Sequence, residues 1–555
     1  MDIQNELNVS QLANFFNWLI TSFVWNSKEL DFMVFILNSS HLHLLYSMKS
    51  KKTLLILSLL AITTITYGQR KELPTFITDS LENYINEGIK AWNIPGLAIA
   101  IVQKDKVIYM KGYGVTSIKN KQFVNENTLF QIGSITKSFT ATAAAMLHVE
   151  KKLSLKDQVS EWLPYYKLKD SIISEQVNII DLLSHRTGFD SYKGDLVTYF
   201  SGFSREEVVK RMALLDVNQD FRDSYGYSNS AYTAVGEILE KVEKKPWGKI
   251  IEDKILAPLE MFNTKMVYSK KENYSNIAFP HTIINNKVEK LEYSPMDNIQ
   301  PAGSMLSSVN DLSHWLIAQI NKGKYNNTAA LPYRAMRITR RPFSTQGFNQ
   351  TDNARTHFYN YGLGFFVRDI NGFLSFQHSG GLTGFSANHI IIPEKELGIV
   401  ILTNDDVNNF FLDLTNVVVD AFLELPFKNY SSNSIKSYHE ELLYESKEKD
   451  SLRALAKING KTTSLNKFIG TYKNDAYGKI SIIEESNQLK LLLSNQKDIR
   501  GVLEYIGENK FLCNFSHYEY GTVVVPFTMK NESVISFDLL IENIEGNIYK
   551  FTKCE

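Results

Sequence analysis

Ser134 and Lys137 stand three residues apart in the run Gly133-Ser134-Ile135-Thr136-Lys137. In a helix that spacing places both side chains on one face, a turn apart. Thr128 to Ile132 reads as extended chain, and Ser134 to Lys151, rich in Ala and Thr, reads as a buried helix. A serine at a helix amino terminus faces unpaired backbone N–H groups and the positive end of the helix dipole. The same field, together with partial burial, disfavours an ammonium on Lys137. Its pKa should fall, and a neutral amine could then take the serine proton. The alternative is a capping serine with a solvated lysine, because Ser is a favoured N-cap.

Two further elements weigh against that alternative. Tyr225-Gly-Tyr227-Ser-Asn229 opens a second helical run with a Tyr-x-Asn pattern. Gln377-His378-Ser379-Gly380-Gly381 is a Gly-rich stretch leading out of a strand, where missing side chains let another backbone approach closely. With all three elements in this order, residues 74–426 resemble the class C β-lactamases and their penicillin-binding and esterase or D-peptidase relatives; the Ser-x-x-Lys signature is shared with related enzymes. Asp181-Leu-Leu-Ser-His185-Arg-Thr-Gly188 and Gln300-Pro-Ala-Gly303 look like framework segments of that family.

The resemblance implies an acyl-serine hydrolase. Ser134 would be acylated, Lys137 would be its partner, and Tyr227 would relay protons as base in acylation and acid towards the leaving group. Asn229 would bind the substrate amide, with His378, Ser379 and Gly380 along the substrate. The backbone N–H groups of Ser134 and Gly381 would form the oxyanion hole. One departure bears on substrate: where the β-lactamases carry Lys-Thr-Gly, this chain has His378-Ser379-Gly380. A fixed ammonium becomes an imidazole, charged only part of the time near neutral pH. The resemblance therefore favours an ester or peptide substrate, D-amino-acid or peptidoglycan-derived peptides included, over efficient β-lactam turnover, with β-lactam binding still compatible. The alternative from another class is a catalytically weak penicillin-binding or sensor-type protein.

Other chemistries find little footing. His185 with Asp181 could suggest a Ser-His-Asp set, but Ser184 to Gly188 reads better as a helix carboxy-terminal cap. No Gly-x-Ser-x-Gly elbow, paired-His zinc helix, P-loop or dinucleotide fingerprint occurs. Two cysteines, Cys513 and Cys554, exclude a Cys-rich metal site and could at most form one disulfide. No cofactor is expected and no metal ligand set is assigned. Lys plus Arg and Asp plus Glu each total 60, so no net charge favours nucleic acid. The expected partner is a small-molecule or peptide substrate.

At 555 residues the chain exceeds a single core. The elements that must position the chemistry read as an α+β domain over 74–426, a mixed antiparallel sheet flanked by helices of the β-lactamase/transpeptidase kind. Residues 429–464 are charged and helical and read as a linker. Residues 465–555 alternate like strands and read as a small all-β barrel, similar to lipocalin-like appended domains, with Phe468-Ile-Gly470-Thr-Tyr472 as the matching start. Near the amino terminus, Lys49, Lys51 and Lys52 precede a short apolar run, as in a secretory signal over 48–68. Residues 1–47 are then an extension upstream of the true start at Met48. A periplasmic or secreted location follows; an uncleaved anchor at 53–67 is the membrane-bound alternative.

Overall fold

The computed structural model describes residues 73–266, 274–351, 354–459 and 465–554, and Pro74–Glu555 forms one compact unit. The expected extension, signal and alternative anchor lie outside the described residues. Among the described residues no helix is long and apolar enough to cross a membrane.

The apolar run at Gly96 becomes β1 (Gly96–Gln103), and Lys104-Asp105 turns it back into β2 (Lys106–Gly114). In β1, Ala98, Ala100 and Val102 face one core while Leu97, Ile99 and Ile101 face another. A strand buried on both faces needs apolar residues throughout, which is why the run shows no alternation. Six later strands complete the sheet: β3 (Ser344–Phe348), β4 (Phe358–Tyr361), β5 (Phe366–Ile370), β6 (Phe373–Leu382), β7 (Phe385–Ile392) and β8 (Leu397–Thr403). The order is β2-β1-β8-β7-β6-β5-β4-β3, with antiparallel ladders throughout.

On one face pack α1 (Leu81–Trp92) and α5 (Phe410–Phe422). The other face carries α2 (Thr136–Val149), α3 (Asn229–Glu243) and α4 (Val309–Ile320). Every residue of α2 from Thr136 to Leu147 is buried, so its Ala and Thr residues give neighbouring helices and strands close access on all sides. The expected helix start at Ser134 is two residues early: Ser134 sits in a 3₁₀ turn, Gly133–Ile135, and α2 begins at Thr136.

The charged run after Asn429 forms one long helix, α6 (Tyr430–Asn459). Its first turn is fastened to the sheet domain, where Trp92 Nε1 donates to Ser431 Oγ at 2.9 Å. Its last residue reaches the next domain, with Asn459 Nδ2 donating to Ile506 O at 2.9 Å. Beyond it, eight antiparallel strands close into a barrel: β9 (Gly470–Asn474), β10 (Gly478–Glu485), β11 (Gln488–Leu493), β12 (Arg500–Gly507), β13 (Lys510–Phe515), β14 (Thr522–Lys530), β15 (Ser533–Ile541) and β16 (Glu545–Lys553). Closure removes the exposed edges an open sheet would present. Phe468, Tyr472, Phe511, Phe527, Phe537 and Phe551 are buried and in mutual ring contact inside it. The barrel is therefore a packed body. Cys513 is buried in it and Cys554 is exposed, and the two thiols are free.

Candidate active site

The nucleophile turn depends on two glycines. Gly133 has φ +50°, a left-handed conformation that most side chains resist. A Cβ on Gly380 would lie 2.0 Å from Ile132 O and 3.1 Å from Ser134 N. Strand β6 and the turn before α2 therefore meet backbone to backbone, and this contact sets the distance across the site. The expectation that the glycines lead out of a strand needs adjustment, since β6 runs through them to Leu382. They lie within the strand because its backbone must touch the turn. Gly381 N is also beside the turn, 3.2 Å from where a Cβ on Gly133 would sit. Ser134 N and Gly381 N thus both lie at the contact between the turn and β6, and the space beside Gly381 is open.

Lys137 is fully buried. Its Nζ contacts Ser134 Oγ at 3.0 Å, Asn229 Oδ1 at 2.7 Å and Ala302 O at 2.8 Å. Burial lowers its pKa to about 7, opposed in part by the Asp195 carboxyl. A neutral amine has two N–H groups and one lone pair. The two carbonyl oxygens, which can only accept, take the two N–H groups. The lone pair then faces the Ser134 hydroxyl, the geometry a general base requires.

Tyr227 is buried beside Ser134 and has its ring 4.7 Å from Lys137 Nζ. Burial first, with neighbouring phenols adding, pushes its pKa well above the usual phenol value. At neutral pH it is a phenol. Of the two groups beside Ser134, Lys137 is the one whose pKa is brought down to about 7, whereas that of the tyrosine is raised. His185 secures Tyr227: its ring packs at 4.3 Å, and its Nδ1 accepts from Ser228 N–H at 3.0 Å. His185 does lie at the end of the Ile179–Leu183 helix, in a left-handed conformation. Burial keeps it neutral, so it is no cationic cap, and Asp181 pairs with Arg186 and Arg222 instead. The Ser-His-Asp alternative has no geometry here.

Asn229 opens α3 and is nearly buried. Its carbonyl is held by Lys137, and its amide donates to Asp195 Oδ2 at 2.7 Å. It serves first as a bridge behind the lysine, with one amide N–H left for the expected substrate contact. His378 departs further from expectation. It is 1% exposed, its Nε2 lies 2.9 Å from Tyr361 O–H and its Nδ1 lies 2.7 Å from Ser379 O. Burial, reinforced by Lys137, pushes its pKa well below the usual imidazole value. It is a neutral part of the site wall with both nitrogens engaged, not a partner for a substrate carboxylate. Ser379 is partly exposed, Gly380 is buried and Gly381 is exposed.

A beta-lactamase family profile matches residues 81–423, more than half of the chain. This chain belongs to the beta-lactamase family. Over 329 residues it is 30% identical to protein flp of Staphylococcus aureus (strain COL), a region that is 58% of this chain and 62% of that protein. It is 24% identical over 441 residues to unguisins hydrolase ungD' of Aspergillus campestris, covering 75% of this chain and 79% of the relative. Among solved structures, the octameric penicillin-binding protein homologue from Pyrococcus abyssi superposes with a TM-score of 0.55 at 21% identity, over 86% of this chain and all of that one. That likeness is one of fold: a β-lactamase/transpeptidase-like domain here followed by a closed eight-stranded barrel.

The residues that sequence reasoning missed come from three places. Ala302 supplies its carbonyl from within the framework segment, invisible because a backbone acceptor has no residue type. Asp195 lies in the loop after Tyr192, which carries no motif. Tyr361 comes from β4, and its hydroxyl neighbours His378 only once the sheet has formed.

Proposed function

We propose that this protein is a serine acyl hydrolase that cleaves an ester or peptide bond through an acyl-Ser134 intermediate. The observation that carries this reading is the set of three contacts at Lys137 Nζ, which leaves an amine lone pair facing Ser134. In the first half-reaction Ser134 Oγ attacks the carbonyl carbon while its proton passes to Lys137. The carbonyl oxygen becomes an oxyanion between the Ser134 and Gly381 amides. Tyr227 protonates the leaving nitrogen or oxygen as the carbonyl bond to it breaks, and recovers a proton from the Lys137 ammonium. Water then takes the leaving group's place, and the same groups run in reverse to release the acid.

The neutral wall at His378 offers no cation for the carboxylate of a β-lactam, which supports ester or peptide substrates over that class. Relatives whose names describe them as hydrolases, ungD' and the structural neighbour EstCE1, a hydrolase with promiscuous acyltransferase activity, are in keeping with this.

The test is intact mass spectrometry after exposure to a fluorophosphonate. One adduct on the native protein, absent in Ser134→Ala, is expected. A folded native protein that takes no adduct would refute the reading and favour a binding role instead.

A further inference from the structure

Asp195 stands behind the base. Its carboxyl accepts from Asn229 Nδ2 at 2.7 Å, and the same amide's oxygen accepts from Lys137 Nζ at 2.7 Å. One side chain therefore separates Asp195 from the amine that faces Ser134. Asp195 begins a short helical segment, Asp195–Thr198, whose ends are held by the barrel. Glu545, the first residue of β16, accepts from Leu196 N–H at 2.8 Å. Gln496 Nε2 donates to Leu196 O and Tyr199 O, each at 3.3 Å. Glu545 and Gln496 are both 2% exposed, as is Asp195.

We infer that Glu545 of the barrel acts through Asp195 and Asn229 on Lys137, making Asp195 and Glu545 positioning residues that keep the base of Ser134 an uncharged amine. This rests on the acyl-serine reading above. The physical reason is that two buried carboxyl groups near one another, here Asp195 and the Glu545 that binds the N–H of the next residue, resist ionising together. Burial and the neighbouring Glu545 hold the Asp195 carboxyl well above the usual range, and burial pushes Glu545 up to about 7. Tyr192 and Tyr199 also face Asp195 without adding positive charge. Tyr549 and Lys193 lie near Glu545, and Lys193 is drawn towards Asp190 at 3.7 Å. Around Lys137 itself stand His185, His378, Tyr227 and Tyr232, all neutral in this setting. An ionised Asp195 would be a negative charge near Lys137 and would hold a proton on it. A protonated Asp195 keeps its hydrogen bond to Asn229 and exerts no such pull.

The same barrel also grips the opposite wall of the site. Tyr518 O–H donates to Asp406 Oδ2 at 2.6 Å, and Glu519 accepts from the Thr383 hydroxyl just beyond Gly381. Docking on both walls gives the barrel a fixed position from which Glu545 can act.

The experiment is the pH dependence of the fluorophosphonate labelling rate at Ser134 in the full chain, for the native protein, Asp195→Asn, Glu545→Gln and the double variant. Removing the Glu545 charge lets Asp195 ionise more readily. The acid limb of Glu545→Gln should move to higher pH by about one unit. Asp195→Asn keeps an acceptor for Asn229 and reproduces the uncharged carboxyl, so its limb should stay at the native pH. The double variant should follow Asp195→Asn, because Glu545 acts only through Asp195. A raised limb in Glu545→Gln that the added Asp195→Asn returns to the native pH supports the inference. An unmoved limb in Glu545→Gln, or a raised limb that persists in the double variant, overturns it while leaving the acyl-serine reading standing. If Glu545→Gln does not fold, Asp195→Asn decides alone: an unmoved limb supports an uncharged native Asp195, and a limb lowered by about one unit overturns the inference. A native protein without any adduct overturns both.

Discussion

Replacing Lys137 by methionine removes the amine while keeping an unbranched side chain of similar length in the same buried site. The contribution of that amine follows from its surroundings. At its ordinary pKa of 10.5, only about one lysine in 3,000 would be neutral at pH 7; with the pKa lowered to about 7, about half are. Burial thus raises the supply of base roughly a thousandfold, as long as the amine keeps its two carbonyl acceptors. The sign follows from the direction of the shift: the active form is the deprotonated one, so activity should be lost as pH falls through 7. At pH 6 the native protein should run at about one tenth of its plateau. Lys137→Met should lose about 10²–10⁴-fold in labelling rate, the range for removing a general base, and its remaining rate should lack the limb near pH 7. The assay is the second-order rate of fluorophosphonate labelling from pH 5 to 9, with thermal unfolding as the control for folding. A native limb below about pH 5, or a Lys137→Met variant with the same limb as the native protein, would show that another group supplies the base.

Tyr227→Phe should slow turnover of a nitrophenyl ester by about 10²–10⁴-fold while the limb near pH 7 remains; an unchanged rate would remove the tyrosine from the proton path. Gly380→Ala must push β6 away from Ile132 O, so both the oxyanion geometry and about 1–3 kcal/mol of stability should be lost, and full activity with an unchanged melting temperature would contradict the backbone contact described above. A thiol reagent should titrate Cys554 alone in the native protein and both cysteines in denaturant; no reactive thiol in either state would mean a disulfide.

Much of the candidate site was legible along the chain because its parts are local. Ser134 and Lys137 lie within one turn, and a helix brings residues at that spacing together whatever surrounds it. Tyr227 and Asn229 sit two residues apart at the start of α3. The apolar runs at Gly96 and Gly398 announced central strands because burial on both faces leaves no room for polar residues. The barrel could be read from strand alternation after Leu465, since one face of each strand must fill its interior.

What the chain alone could not decide were the charges, because a charge state depends on everything packed around a group. Spacing could place Lys137 beside Ser134, but its neutrality depends on full burial and on carbonyls from Ala302 and Asn229, residues 165 and 92 positions away. His378 looked like a part-time cation in sequence, but full burial, with Lys137 nearby, makes it a neutral wall. Asp195 and Glu545 are 350 residues apart and carry no motif. Their coupling exists because the barrel closes on the hydrolase domain and buries two carboxyl groups where water can no longer separate their charges.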